Sequence, residues 1–186
     1  GRRVTNLRRD LLVWVDMEMT GLDPERDRIL EIASLISDNE LRIVAEGPVL
    51  AIHQPEAVLQ SMDEWNRQHH TESGLLERCR ASRVTVREAE QQTLEFVKRY
   101  CEPRSAPLCG NSVWQDRRFL ARYMPELDQF LHYRIIDVST VKELVRRWYP
   151  QGPPPPPKKK AHLASSDIHE SIAELLFYRQ HYFRAP

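Results

Sequence analysis

The stretch VWVDMEMTG, Val13 to Gly21, sets two acids directly behind an apolar run. Residues two apart in a strand share a face, so Asp16 and Glu18 point the same way, about 7 Å apart along the chain, in line with Leu12 and Trp14. Two carboxylates at the end of a buried strand repel each other and lose hydration. A divalent cation between them resolves both penalties, which makes a metal site the economical reading. The plain alternative is a strand that emerges into solvent at Asp16, and a D-x-E pair alone does not decide between the two.

Working outward, TGLDPERD is a turn signal that separates this run from RILEIASLIS and then LRIVAEGPVLAI, giving three consecutive, meandering strands. PEAVLQSMDEWNRQHH and TVREAEQQTLEFVKRY carry helical spacing, the second with Thr85 and Glu88 as a capping box. APLCGN predicts a short buried strand, WQDRRFLARYM a helix, and YRIIDVS a strand running into the helical TVKELVRRWY, which Pro150 stops. The segment QGPPPPPKKK, 151–160, is a polyproline II surface connector followed by solvated lysines, and the last helix is expected from about Asp167 to Tyr182. Strands first and strand–helix alternation afterwards predict an α/β domain with a mixed sheet.

A length of 186 residues fits one domain, with 1–10 as a basic N-terminal segment. Lys plus Arg and Asp plus Glu number 27 each, so no global basic excess exists for coating long nucleic acid, and an anionic partner must be met locally. Cys79, Cys101 and Cys109 show no C-x-x-C spacing and read as buried thiols in a reducing compartment. No apolar stretch approaches a membrane span, so no membrane partner is expected. The opening GRRVTNLRR has the composition of a targeting segment but is too short to decide.

Further acids lie along the chain. Asp116 stands in the first turns of a helix, where the macrodipole favours an acid, and Asp137 reads equally as a helix N-cap near Ser139. Asp27 sits among arginines, as in local ion pairs. In KKKAHLASSDIHES, Asp167 with Glu170 looks like a capping pair for the last helix. Together with His162, however, Asp167 joins a set of scattered carboxylates of the kind that builds hard-cation sites, with a neutral imidazole able to take a proton.

The order and spacing of VWVDMEMTGLD, GNSVWQDRRFLARYMP, LHYRIIDVSTVKELVRRWYP and AHLASSDIHESIAELLFYRQ closely resemble the oligoribonuclease family, in the DEDDh branch of 3′-to-5′ exonucleases. The resemblance covers Leu11 to about Phe183 and implies an RNase H-like fold, a mixed five-stranded sheet flanked by helices. It implies Asp16, Glu18, Asp116 and Asp167 as metal-holding acids, His162 as the base that defines the branch, and two divalent cations, Mg²⁺ or Mn²⁺. It further implies that Leu22 and Trp65 wedge and stack on bases, and that Ser112, Arg134, Ser139 and His70 cap the 5′ phosphate, with Tyr133 reaching across a homodimer. The activity so implied is hydrolysis of short RNA, dinucleotides especially, to 5′-mononucleotides in the cytoplasm, or in the mitochondrion for a eukaryotic source. One departure stands out: the family usually reads HRALDDI where this chain has HLASSDI, so Ser165 replaces an apolar residue and Ser166 an acid. The competing readings are an exonuclease of the same branch acting on single-stranded DNA or tRNA ends, and a catalytically idle nucleic-acid-binding or dimerising module.

Overall fold

The computed structural model describes residues 6–159 and 163–186. Three antiparallel strands, β1 (Leu12–Met19), β2 (Ile29–Ser37) and β3 (Ile43–Ala51), are extended by β4 (Leu108–Gly110) and β5 (Ile135–Asp137), which run parallel to β1. The strand order is β3-β2-β1-β4-β5. Eight helices complete the described chain: α1 (Glu56–Gln60), α2 (Glu64–Glu72), α3 (Leu75–Ala81), α4 (Val86–Lys98), α5 (Val113–Tyr123), α6 (Pro125–Phe130), α7 (Val138–Trp148) and α8 (Ala164–Tyr182). The expected five-stranded mixed sheet is present, and the meander of its first three strands is as read from the turn signals.

The central strand β1 is covered on both faces, which is why its sequence is nearly continuous in apolar residues. Its odd-numbered residues Val13, Val15 and Met17 pack with Phe96, Val97, Phe119 and Leu120 from α4 and α5. Its even-numbered residues Leu12 and Trp14 pack with Ile168, Ile172 and Tyr178 of α8 and with Val138. The row Leu12, Trp14, Asp16, Glu18 therefore runs under α8 and leaves the apolar core at Asp16. Trp14, fully buried, donates its indole N–H to Ser37 Oγ at 2.8 Å, so the large ring carries no unsatisfied donor into the core.

Local sequence chemistry sets several boundaries. Thr85 and Glu88 form the expected capping box of α4. PEAVLQSMDEWNRQHH is two helices rather than one, because Asp63 accepts from Asn66 N and starts α2 afresh. The last helix begins at Ala164, earlier than the expected Asp167; Leu163 is its N-cap, without a side-chain cap. Asp167 therefore lies inside the first turn and is no capping residue, while Glu170 accepts from Lys159 N at 2.8 Å. Ser165 and Ser166 are half-buried within that turn, which stays helical. All three cysteines are free and buried, and burial pushes the Cys79 and Cys101 thiols up to about 11, as structural thiols require. No helix among the described residues is long and apolar enough to cross a membrane.

Glu90, buried in α4, joins this helix to α6. Its carboxylate accepts from Arg87 Nη1 at 2.7 Å and from the backbone N–H groups of Glu126 at 2.8 Å and Leu127 at 3.2 Å. Glu90→Ala leaves those two donors at the start of α6 without their acceptor and is expected to destabilise the fold by about 1–3 kcal/mol. Urea denaturation checks this: the midpoint should fall at unchanged slope, and a midpoint equal to that of the parent contradicts it.

Candidate active site

Three carboxylates meet at the end of β1. Asp16, Glu18 and Asp167 each offer an oxygen, and the three lie within 4.8 Å of one another, all half-buried. Alternation along β1 aims the first two at α8, and the early start of α8 turns Asp167 down onto them. Asp116 joins from the opposite face. β1 continues beyond the end of β4, and Met17 N donates to Asp116 Oδ1 at 3.1 Å where no strand neighbour is available. Asp116 is buried and lies outside the group of three, next to it through Met17.

Electrostatics at this place are unfavourable for the protein alone. Burial first, then Asp116, Glu18 and Asp167, hold Asp16 well above the usual carboxylate range. Burial with Asp167, Glu31 and Asp116 nearby pushes Glu18 up to about 8, and burial pushes Asp116 up to about 8 against the pull of the Met17 N–H bond. Asp16 Oδ2 is buried with no hydrogen-bond partner among the described residues. An orphaned carboxylate oxygen inside an all-oxygen donor set fits a hard divalent cation.

Glu31 was not singled out by the sequence reading, although an acid inside ILEIASLIS is a visible anomaly. It pairs across the strands with Glu18, is buried, accepts from Ala164 N at 3.0 Å and forms an ion pair with Arg78. Two acids directly opposite each other on a sheet repel. Arg78 and the α8 N–H offset that repulsion, and the N–H bond fixes the helix end that carries Asp167. His162, the expected base, lies outside the described residues, two positions before Ala164.

The expected base contacts share one cleft of about 740 Å³, lined by Glu18, Gly21, Leu22, Trp65, His69 and His70 among others. Leu22 and Trp65 are both 63% exposed, unusual for side chains of their size. The turn that presents Leu22 is pinned by Asp27, which accepts from Thr20 Oγ1 at 3.0 Å and Asp23 N at 2.9 Å. A Cβ on Gly21 would meet Asp27 Oδ2 at 2.5 Å, so a larger residue there would displace the carboxylate that pins the turn. Asp27 thus holds the turn and stands apart from the acid cluster. His70 Nε2 lies 3.0 Å from the Met19 carbonyl oxygen, on the lining of this cleft.

The other expected phosphate contacts stand elsewhere: neither Ser112 nor Ser139 lines the cleft that holds His70. Ser112 precedes α5 with φ of 49°, a left-handed conformation that is uncommon for serine. Its N–H is held by Asp137 Oδ1 at 2.8 Å and Ser139 Oγ at 3.0 Å, and its hydroxyl lies 3.2 Å from Ser139 Oγ. Asp137 is the N-cap of α7, accepting from Ser139 N. Tyr133, 74% exposed, lies with Arg134 on the loop before β5, and the Arg134 guanidinium sits 5.2 Å from the Tyr133 ring centre.

The exonuclease family model RNase_T matches residues 13–175. The chain is 57% identical to the oligoribonuclease of Marinobacter nauticus over 94% of this chain and 97% of that one. It is 58% identical to that of Halorhodospira halophila, over 94% and 96%. Among solved structures, a product-bound exonuclease I superposes with a TM-score of 0.71 at 15% identity, covering 94% of this chain and 44% of the other. A zinc-bound complex of Escherichia coli exonuclease I with single-stranded DNA gives 0.68 at 17%, covering 93% and 41%. This chain spans about two fifths of those proteins, and the likeness shows the fold, which is RNase H-like.

The raised carboxylates carry a pH signature. An acid whose pKa rises on folding holds its proton better folded than unfolded, so its contribution is present below the unfolded value of about 4 and is lost as pH rises through about 8. The thermal midpoint of chelator-treated protein should therefore drop between about pH 5 and pH 8. Glu18→Gln should flatten that drop; an equal slope in both proteins contradicts the reading. Family model and whole-length relatives agree: the chain belongs to the oligoribonuclease family, metal-using 3′-to-5′ exoribonucleases that hydrolyse phosphodiester bonds.

Proposed function

We propose that this protein completes RNA breakdown by hydrolysing very short oligoribonucleotides, dinucleotides above all, to 5′-mononucleotides. The observation that carries the reading is the convergence of Asp16, Glu18 and Asp167 within 4.8 Å, with Asp116 beside them on Met17 N. These four acids would hold two divalent cations, Mg²⁺ or Mn²⁺. Bound there, the cations supply Lewis acidity toward the attacking water and the departing 3′ oxygen.

The chain's own groups do the rest. His162 takes a proton from the attacking water, the water oxygen bonds to phosphorus as the bond from phosphorus to the 3′ oxygen breaks, that oxygen takes up a proton from solvent, and the terminal nucleotide leaves with its 5′ phosphate. Glu31 holds the start of α8, the helix that carries Asp167. Leu22 wedges between bases and Trp65 stacks on one; their exposure in a single cleft supports this. His70 belongs to the same cleft. Ser112, Ser139 and Arg134 take the 5′ phosphate, hydroxyls and a guanidinium suiting an oxygen-rich anion. A phosphate held at the 5′ end limits the length of bound RNA.

Tyr133 would reach this site from a second copy. A homodimer is further supported by Leu144 and Trp148, large apolar side chains exposed on α7, the latter by 68%. The cytoplasm is the proposed compartment, with the mitochondrion as the alternative for a eukaryotic source.

A labelled RNA ladder from two nucleotides upward, with Mg²⁺ or with chelator, tests the substrate. Turnover should be fastest for the dinucleotide and stop without the metal; faster cleavage of long single-stranded DNA contradicts the proposal. Asp167→Asn and His162→Ala should each lower kcat by about 100-fold or more while leaving the protein folded and dimeric. Retained turnover in either variant removes its assigned role.

A further inference from the structure

The proline connector has no part in the reaction described above, yet it is fastened along α8. Tyr182 Oη donates to the Pro153 carbonyl, Lys159 N donates to Glu170, and Lys158 forms an ion pair with Glu174. Lys158 is thus not simply solvated charge. Glu174 is 4% exposed, an acid deep beneath a surface strap. It accepts from Tyr178 Oη at 2.6 Å and from Asn111 Nδ2 at 3.2 Å. Although burial alone would raise it, the bonds from Lys158, Tyr178 and Asn111 hold Glu174 below the usual carboxylate range.

An ionised carboxylate only accepts hydrogen bonds, so it dictates which end of the Asn111 amide faces it. The amide nitrogen turns to Glu174 and to Ser171 Oγ, at 2.8 Å, and Oδ1 is left facing Ser139. Ser139 then donates its one hydroxyl proton to Asn111 Oδ1, at 3.1 Å, and offers lone pairs to Ser112 N–H, at 3.0 Å. That bond helps to hold the left-handed backbone of Ser112, a conformation that persists only where its surroundings enforce it. A continuous chain of polar contacts runs from Lys158 through Glu174, Asn111 and Ser139 to Ser112.

We propose that Lys158, Glu174 and Asn111 are positioning residues that fix the Ser112–Ser139 hydroxyl pair in the arrangement that receives a substrate's 5′ phosphate, so that the proline connector sets substrate affinity from outside the site. The inference rests on the phosphate-binding reading of Ser112 and Ser139 given above. None of the three needs to touch the reacting bond. Their effect appears in KM for a phosphorylated substrate and leaves kcat alone.

Steady-state kinetics on two dinucleotides, one with a 5′ phosphate and one with a 5′ hydroxyl, test this. Lys158→Met, a change at a partly exposed side chain, should raise KM for the phosphorylated dinucleotide about tenfold, the effect of losing one hydrogen bond to a charged group. KM for the 5′-hydroxyl dinucleotide should not move, kcat should hold for both, and Lys158→Arg should restore the parent value. Glu174→Ala should act in the same direction, and Ser139→Ala should remove the preference for the 5′ phosphate. If Ser139→Ala removes that preference while Lys158→Met shifts both substrates alike or neither, the relay is wrong and the phosphate site stands. If Ser139→Ala leaves the preference unchanged, the phosphate reading fails and the relay with it.

Discussion

Leu12, Trp14, Asp16 and Glu18 share one face of the central strand because successive side chains of a strand alternate, and this ties the core under α8 to the acids at its end. The same packing that buries Trp14 against α8 sets how far the helix lies from β1. Asp167, in the first turn of that helix, is thereby held against Asp16 and Glu18. A shift of one residue in β1 would turn both acids away from α8 and place Met17 where Asp16 stands.

Elsewhere in the protein, buried acids are answered by a cation reaching in from the surface. Glu90 has Arg87, Glu31 has Arg78 and Glu174 has Lys158. Among the described residues, Asp16, Glu18 and Asp116 have no such ion pair, although burial raises all three. The described residues therefore include the means to neutralise a buried carboxylate, and none of them does so for Asp16, Glu18 or Asp116. A protein of zero formal charge can in this way keep a concentrated negative site.

Much of this was legible in the residues. Turn signals gave the meander, the Thr85 and Glu88 spacing gave the start of α4, and the D-x-E pair marked the end of a buried strand. What misled was the start of α8: a Ser or Asp ahead of an apolar run is the usual cap, but the start at Ala164 depends on Glu31, a contact across 133 positions. No local pattern reports such a contact. The break at Asp63 is hidden for the opposite reason, since helical spacing continues through a residue whose side chain restarts the helix. Lys158, Glu174 and Asn111 stand far apart in sequence and form a chain only once α8, β4 and the connector are packed together. Motif order assigned Ser112 and Ser139 to a phosphate, but the left-handed backbone that brings their hydroxyls together is visible only in the fold.

The central claim is that Asp16, Glu18, Asp116 and Asp167 form one cation site. Equilibrium binding of Mn²⁺, followed by the electron paramagnetic resonance signal of the free ion, tests it without reference to turnover. The intact protein should take up Mn²⁺, and Asp16→Ala should lose that binding while keeping its circular dichroism. Undiminished Mn²⁺ uptake by a folded Asp16→Ala protein would contradict the account.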